Sequence, residues 1–407
     1  MKKHILLIHQ VFVTPDFGGG TRHFELAKYL VKLGHKVTVI ASDTDYLSGQ
    51  KKTVSQETIE GVNIKYAFTY SALHKGIVTR AFAFLSFAFS SFKLGYHMDD
   101  IDVIWGTSPP LFQSFTGLIL SKIKRKPFVF EVRDLWIDFA RELNVVKNPV
   151  IIFIFKWLEK QLYQLADHII VNSPGFIPHI NRIVPDKNIS LFANGVISEE
   201  FENLDYSQTQ KISQDLFDSS NEFRVLYTGN IGIANDIETI IDTAKQLMEY
   251  PEIIFYIIGG GIRVTQFQSF CEDNKISNVR FKKTVPKKQI PHILAECDIC
   301  IASLKDIPLF GTVYPNKVFD YMAAGKPTIL SINGVIKEVI ESSRGGLAIS
   351  PENSDEMRDA ILTYYHDRTL IDRDGKQARQ YVKEKFEREI IATQLFYYLR
   401  DIGAKKV

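Results

Sequence analysis

Three cysteines in 407 residues cannot all be paired within one chain, and that scarcity excludes a disulfide-built fold. Cys297 and Cys300 have a C-x-x-C spacing, but it lies inside the apolar run Cys297–Ala302 and no second pair accompanies it. It reads as a buried strand rather than a redox or zinc site, and a reducing cytoplasm is expected. An excess of one charge is also lacking: a net charge of +2 argues against a dedicated nucleic-acid binder. Ala81–Phe92, bounded by Arg80 and Lys93, is far too short to cross a bilayer. Met1-Lys2-Lys3 leads straight into a short strand, so no signal peptide is expected. The strict G-x-G-x-x-G fingerprint is missing, and the D-x-D spacing of Asp43-Thr44-Asp45 reads as a loop after the second strand. No metal is expected.

What is present is an alternation of short apolar runs with longer helical patterns, the signature of parallel sheets covered by helices. In the first half the predicted strands are His4–His9, Lys36–Ala41, Val62–Ala67, Val103–Trp105, Pro127–Val132 and His168–Val171. The segment Glu199–Ser220, polar and rich in Ser, Asp and Gln, reads as an inter-domain connection. A second series follows, with strands at Phe223–Tyr227, Ile253–Ile258, Val279–Phe281, Asp298–Ala302 and Pro327–Leu330. Gly375–Arg400 is expected to be one long helix crossing back to the first domain. The expected division is 1–198, 221–385 and a terminal helix 386–407, with two Rossmann-like α/β domains facing each other across a cleft.

Glycines recur at the carboxyl ends of strands, where a backbone without side chains can approach a phosphate or sugar. They are Gly18-Gly19-Gly20, Gly229-Asn230-Ile231-Gly232 and Gly259-Gly260-Gly261, the last followed by Arg263. The stretch Pro315–Pro327 predicts a short helix whose amino end, with Asn316 and Lys317, suits a phosphate. Asp320, one turn later, is placed to accept hydrogen bonds from sugar hydroxyls. In Phe128–Trp136 a buried strand ends in Arg133 and Asp134, a guanidinium fork beside a carboxylate. Ala81–Phe92, Val150–Phe155 and the basic cluster Lys122–Lys126 are together consistent with a chain resting on a membrane.

These motifs, in this order, resemble the retaining glycosyltransferases of family 4, which have the GT-B fold. The resemblance rests on Gly18–Arg22, Glu131–Trp136, Asn194-Gly195-Val196, Tyr227–Gly232, Gly259–Gly261 and Pro315–Pro327. The Arg-Asp-Leu-Trp and Tyr-Met-Ala-Ala-Gly-Lys-Pro forms are similar to a branch that builds bacterial O-antigen and capsule and includes N-acetyl-L-fucosamine transferases. The resemblance implies a nucleotide-sugar donor, UDP-linked, held by the second domain. A saccharide acceptor is expected, polyprenyl-diphosphate-linked at the cytoplasmic membrane surface, since a lipid-linked saccharide fits Ala81–Phe92. The family's E-x7-E pattern falls on Thr312 and Asp320, and its usual Arg and Lys after the first strand of the second domain fall on Asn230 and Asn235.

The expected donor site is therefore Gly19, Gly20, Asn230, Gly260, Arg263, Thr284, Val285, Thr312, Asn316, Lys317 and Asp320. Arg263 and Lys317 supply the charge, Thr284 and Val285 border the base, and Arg133 and Asp134 act at the reacting centre. No cofactor is expected beyond the donor itself. An epimerase or hydrolase of the same architecture, and a non-catalytic sugar-nucleotide-binding subunit, remain alternatives.

Overall fold

The computed structural model describes residues 2–45, 49–70 and 77–403. They form two compact units: 2–14, 21–193 and 389–403 belong to the first, 15–20 and 194–388 to the second.

The first unit carries β1 (His4–Ile8), β2 (Lys36–Ser42), β3 (Gln56–Ile59), β4 (Val62–Ala67), β5 (Val103–Ser108), β6 (Phe128–Val132), β7 (His168–Val171) and β8 (Ile189–Leu191). They build one sheet in the order β3-β4-β2-β1-β5-β6-β7-β8, parallel throughout except for the β3–β4 hairpin. The hairpin turns on Glu60 and Gly61, with φ of 50° and 79°, the left-handed pair that a tight turn between twisted strands requires. β1, β5 and β6 are buried along their whole length, so they read as unbroken apolar runs rather than alternating ones. Helix Arg22–Lys32 covers one face and stops at Leu33, followed by Gly34 at φ 111°. Helix Pro149–Leu165 begins where Asn148 accepts from the Val150 and Ile151 amides, with Pro149 in the first turn. The last helix, Arg388–Asp401, contributes Ile391, Leu395 and Leu399 to the core formed by Ile5, Leu7, Leu26 and Leu30.

The second unit carries β9 (Phe223–Thr228), β10 (Ile253–Ile258), β11 (Val279–Lys282), β12 (Ile299–Ser303), β13 (Thr328–Ser331) and β14 (Gly346–Ala348) in the order β11-β10-β9-β12-β13-β14. All of its pairings are parallel.

Two expectations about elements change. The polar segment after Asn194-Gly195 contains helix Tyr206–Leu216, in which Thr209 Oγ1 and the buried His292 Nδ1 lie 2.7 Å apart. Its exposed face is polar because it is a surface helix, not because it is a linker. The single long helix expected over Gly375–Arg400 is two, Thr369–Lys385 and Arg388–Asp401. Between them the Val196 amide donates to the Phe386 carbonyl and the Arg388 amide to the Val196 carbonyl, and the buried Arg388 guanidinium donates to the Gly195 carbonyl at 2.5 Å.

Candidate functional site

In the second unit β9 lies between β10 and β12, so the winding reverses at its carboxyl end, where open α/β sheets bind ligands. Gly229 follows the strand with φ 140°, and a Cβ there would stand 2.9 Å from Lys317 Nζ. A Cβ on Gly259 would stand 1.8 Å from the Gly229 carbonyl oxygen, so the two glycine turns meet backbone to backbone. The Ile231 amide donates to the Gly260 carbonyl at 2.8 Å. Thr284 Oγ1 would lie 2.9 Å from a Cβ on Gly260, with half-buried Val285 next in the chain.

Lys317 stands in the first turn of helix Asn316–Ala323. The residue as a whole is only partly buried, but its Nζ is shut off from solvent and has no hydrogen-bond partner. It rests 3.8 Å from the centre of the Tyr227 ring. Burial with no counter-charge pushes its pKa down to about 7. The helix is preceded by Pro315, whose side chain caps nothing, so the amides that open it have no side-chain acceptor.

One turn on, the Asp320 carboxylate lies 2.5 Å from Lys287 Nζ, with side chains only 13% and 16% exposed. Sequence reasoning missed Lys287, because nothing local joins two residues 33 positions apart. The same loop gathers the first glycine run: the Lys287 amide donates to the Phe17 carbonyl at 3.1 Å, and Lys288 Nζ meets Asp16 at 2.7 Å. A Cβ on Gly20, which follows Gly19, would lie 3.7 Å from Asn316 Nδ2.

Other expected donor residues are placed differently. Arg263, a candidate for the diphosphate, is ion-paired with Glu238 and hydrogen-bonded to Gln266 at 2.9 Å. Asn230 is exposed, and its carbonyl accepts the Tyr227 hydroxyl at 2.8 Å. Thr312 Oγ1 donates to the Leu309 carbonyl at 2.6 Å. With Gly311, Phe310, Asn333 and Gly334 it lines a cavity of about 350 Å³ whose walls include neither Lys317 nor Asp320.

In the first unit the winding reverses beside β1, and buried charges gather at the strand ends. Arg133 donates through Nε to Thr107 Oγ1 at 2.8 Å and to the Ser108 carbonyl at 3.0 Å, while its Nη2 lies 3.1 Å from His9 Nε2. The fork expected to face a substrate is thus largely spent on the ends of β1 and β5. Asp134 is different: its Oδ1 is buried without a partner, and burial outweighs Arg133 to raise its pKa to about 7. Behind it Glu131 lies 3.0 Å from Arg22 and 2.6 Å from His23. Neither His9 nor His23 stood out in the sequence, since the partners of both, Arg133 and Glu131, lie more than a hundred positions away.

Burial works to raise Glu131, but His23, Arg22 and Arg133 overcome it and hold the carboxyl near 2; burial lowers His23 to about 4 despite Glu131. Both groups are depressed in the folded state, so both give stability that is lost on acidification. The Glu131 contribution is present above its ordinary 4.5 and vanishes as pH falls toward 2. The His23 contribution is present above 6.5 and is lost as pH falls through 4. Denaturant midpoints should therefore decline between pH 6.5 and 4 in the natural protein. His23→Gln should flatten that decline, and an unchanged slope would contradict the assignment.

One group of metal-ligand type converges among the described residues: Asp138, Glu159 and His179, with ligand atoms within 4.8 Å of one another. Lys156 Nζ already lies 2.6 Å from Asp138 Oδ1, so a cation is supplied there by the chain itself. Asp43 accepts from Thr44 Oγ1 at 2.9 Å and the Thr69 amide at 3.0 Å, which makes the D-x-D spacing a loop closure.

Residues 17–200 match the family model Glycosyltransferase Family 4, and residues 208–383 match Glycosyl transferases group 1. Together the two models span most of the chain, which is a glycosyltransferase of the GT-B fold. Among relatives, the transferase is 21% identical to WcaI of Escherichia coli (strain K12), named for colanic acid biosynthesis, over 97% of this chain and 99% of that one. Its fold matches sucrose-phosphate synthase of Thermosynechococcus elongatus with a TM-score of 0.81 at 18% identity, covering 99% of this chain and 100% of that one. It also matches Anabaena HepE, solved with UDP and glucose, with a TM-score of 0.73 at 16% identity, covering 98% of this chain and 100% of that one. Each of the two sequence models falls almost wholly within one structural unit.

Proposed function

We propose that this glycosyltransferase moves a sugar from a UDP-sugar to a saccharide acceptor with retention of anomeric configuration, in the synthesis of a bacterial surface polysaccharide. The observation that carries the donor half is the Lys317 ammonium, buried at a glycine turn with no anion beside it. A diphosphate seated there would meet Lys317, the free amides opening helix Asn316–Ala323, and the backbone of Gly19-Gly20 and Gly229. Asp320, held by Lys287, would take the ribose hydroxyls, and the Thr284-Val285 edge beside Gly260 would border the base. Asp134 of the first unit would orient the acceptor. The O-antigen and capsule branch that includes N-acetyl-L-fucosamine transferases is the finer reading, supported by the forms around Arg133–Trp136 and Tyr321–Pro327.

In this reading the bond from the anomeric carbon to the diphosphate oxygen breaks as the acceptor oxygen bonds to the same face. The departing diphosphate takes the acceptor proton. Lys317 and the helix amides offset the charge that grows on the leaving group. The reading asks for no metal ion at the diphosphate, so EDTA is expected to leave turnover unchanged. Incubation with a panel of nucleotide sugars, with and without a lipid-linked acceptor, tests the whole scheme. Acceptor-dependent nucleotide release with a retained product supports it. An inverted product or acceptor-free sugar conversion would replace it, the latter with an epimerase or hydrolase.

The acceptor is proposed to be lipid-linked because two helices of the first unit carry large exposed apolar side chains. Phe89 and Phe153 are 76% and 71% exposed, with Phe82, Val150, Ile154 and Trp157 also exposed on helices Ile77–Tyr96 and Pro149–Leu165. Lys122, Arg125, Lys147 and Lys160 are exposed on the same unit. Among the described residues no helix is long and apolar enough to span a membrane, so contact would be peripheral. Phe153→Glu combined with Trp157→Glu should abolish sedimentation with anionic vesicles at low salt, while transfer to a water-soluble acceptor persists. Unaltered sedimentation would remove this face from the membrane contact.

A further inference from the structure

Lys317 has a second property that the proposed donor site does not require. A lysine meant only as a permanent cation is ordinarily kept ionised by a carboxylate or by water. Here the chain supplies no carboxylate among the described residues to offset the cost of burial. The Nζ is closed off from solvent and unpaired. Its seat is made by the Tyr227 ring below and the Gly229 backbone beside it.

The groups around it stay out of its way. Tyr227 is buried and directs its hydroxyl to the Asn230 carbonyl rather than to Lys317. Tyr321, on the same helix, lies with its hydroxyl 2.9 Å from the Thr228 amide, which donates to it. Asp320, the nearest carboxylate along that helix, is occupied by Lys287 from the loop after β11. The turn Gly229–Gly232 carries no ionisable side chain.

We propose that Lys317 is held without an anion so that it takes up a proton as the donor's diphosphate arrives, which couples donor binding to pH. The inference rests on the donor reading above and adds a proton to it. The sign follows from linkage. Below about pH 7 the lysine is already charged and affinity is at its plateau. Above it, each binding event must first protonate the lysine, and affinity falls about tenfold per pH unit until the bound lysine itself deprotonates. The ring keeps the empty seat in place: a π face accommodates the ammonium without neutralising it as a carboxylate would.

The test uses the full chain and UDP at about pH 8, where the nucleotide's terminal phosphate is already fully ionised. Calorimetry in two buffers of different ionisation enthalpy should report about one proton taken up per UDP bound. Lysine side-chain NMR, with the Lys317 signal assigned by its loss in Lys317→Arg, should show that signal titrating near neutrality in the free protein and becoming charged on adding UDP. In Lys317→Arg, whose guanidinium does not titrate, UDP should still bind but without proton uptake. Tyr227→Phe, which keeps the ring, should retain the uptake. UDP binding with no proton uptake, or an ordinary alkaline Lys317 in the free protein, overturns this proposal and leaves the donor reading intact. UDP that perturbs no resonance and releases no heat overturns the donor reading itself, and this proposal with it.

Discussion

Lys317→Ala is expected to lower kcat/KM for the nucleotide sugar by about a hundredfold to a thousandfold, the loss typical of removing one preorganised donor to a developing anion. The effect should be large because neighbouring positions supply little charge in its place. Asn230 and Asn235 stand where other members of the family carry Arg and Lys, and Arg263 is already neutralised by Glu238. Most of the loss should appear in kcat rather than KM if the lysine meets charge that grows as the bond to the diphosphate breaks. The folded state should not suffer, since the variant removes a desolvated amine with no hydrogen-bond partner, whose burial costs more than its contact with the Tyr227 ring returns. Steady-state kinetics with thermal unfolding as a control checks both halves. An unchanged kcat/KM would remove Lys317 from the diphosphate.

Asp320→Asn is the second variant with a large expected effect, and here the structure alters what the sequence suggests. Read alone, Asp320 is a hydroxyl acceptor whose loss should affect the donor only. Its ion pair with Lys287 is largely buried, and breaking such a pair by removing one partner costs about 3–5 kcal/mol at the extreme. The amide keeps an acceptor oxygen but leaves Lys287 uncompensated, so a lower unfolding midpoint should accompany a tenfold or greater loss in donor affinity. Lys287→Met should lose stability too. The double variant Lys287→Met with Asp320→Asn should recover much of it, because no lone charge is left, yet donor affinity should stay low. If the double variant regains full donor affinity, Asp320 acts only through the pair and does not touch the nucleotide.

How much of this was legible beforehand depends on the range of the interaction. The strands β1, β5, β6, β9 and β10 were visible as apolar runs because strands buried on both faces have no choice of residue type. Glycine turns at strand ends were visible because backbone contact, such as that of Gly259 with Gly229, tolerates no side chain. Of the four edge strands only β11 was read: β3, β8 and β14 are short and partly exposed, so their composition is hardly constrained. The split of the last helix was hidden as well, since it depends on Arg388 reaching the Gly195 carbonyl 193 positions away.

The sequence by itself determined the two α/β repeats, the glycine turns, and the presence of Lys317, Asp320, Arg133 and Asp134 at the ends of elements. Those follow from local periodicity and from the steric demands of each position. Only the tertiary structure decided the state of each charge. Arg263 and Lys317 are equivalent cations in the sequence, but one has Glu238 beside it and the other has a tyrosine ring. Arg133 and Asp134 are neighbours in the chain, yet the first is consumed by His9, Thr107 and Ser108 while the second keeps a buried, unpaired oxygen. Desolvation and ion pairing act through space between residues far apart in the chain, and a pattern of residue types carries no record of which partners the fold brings together.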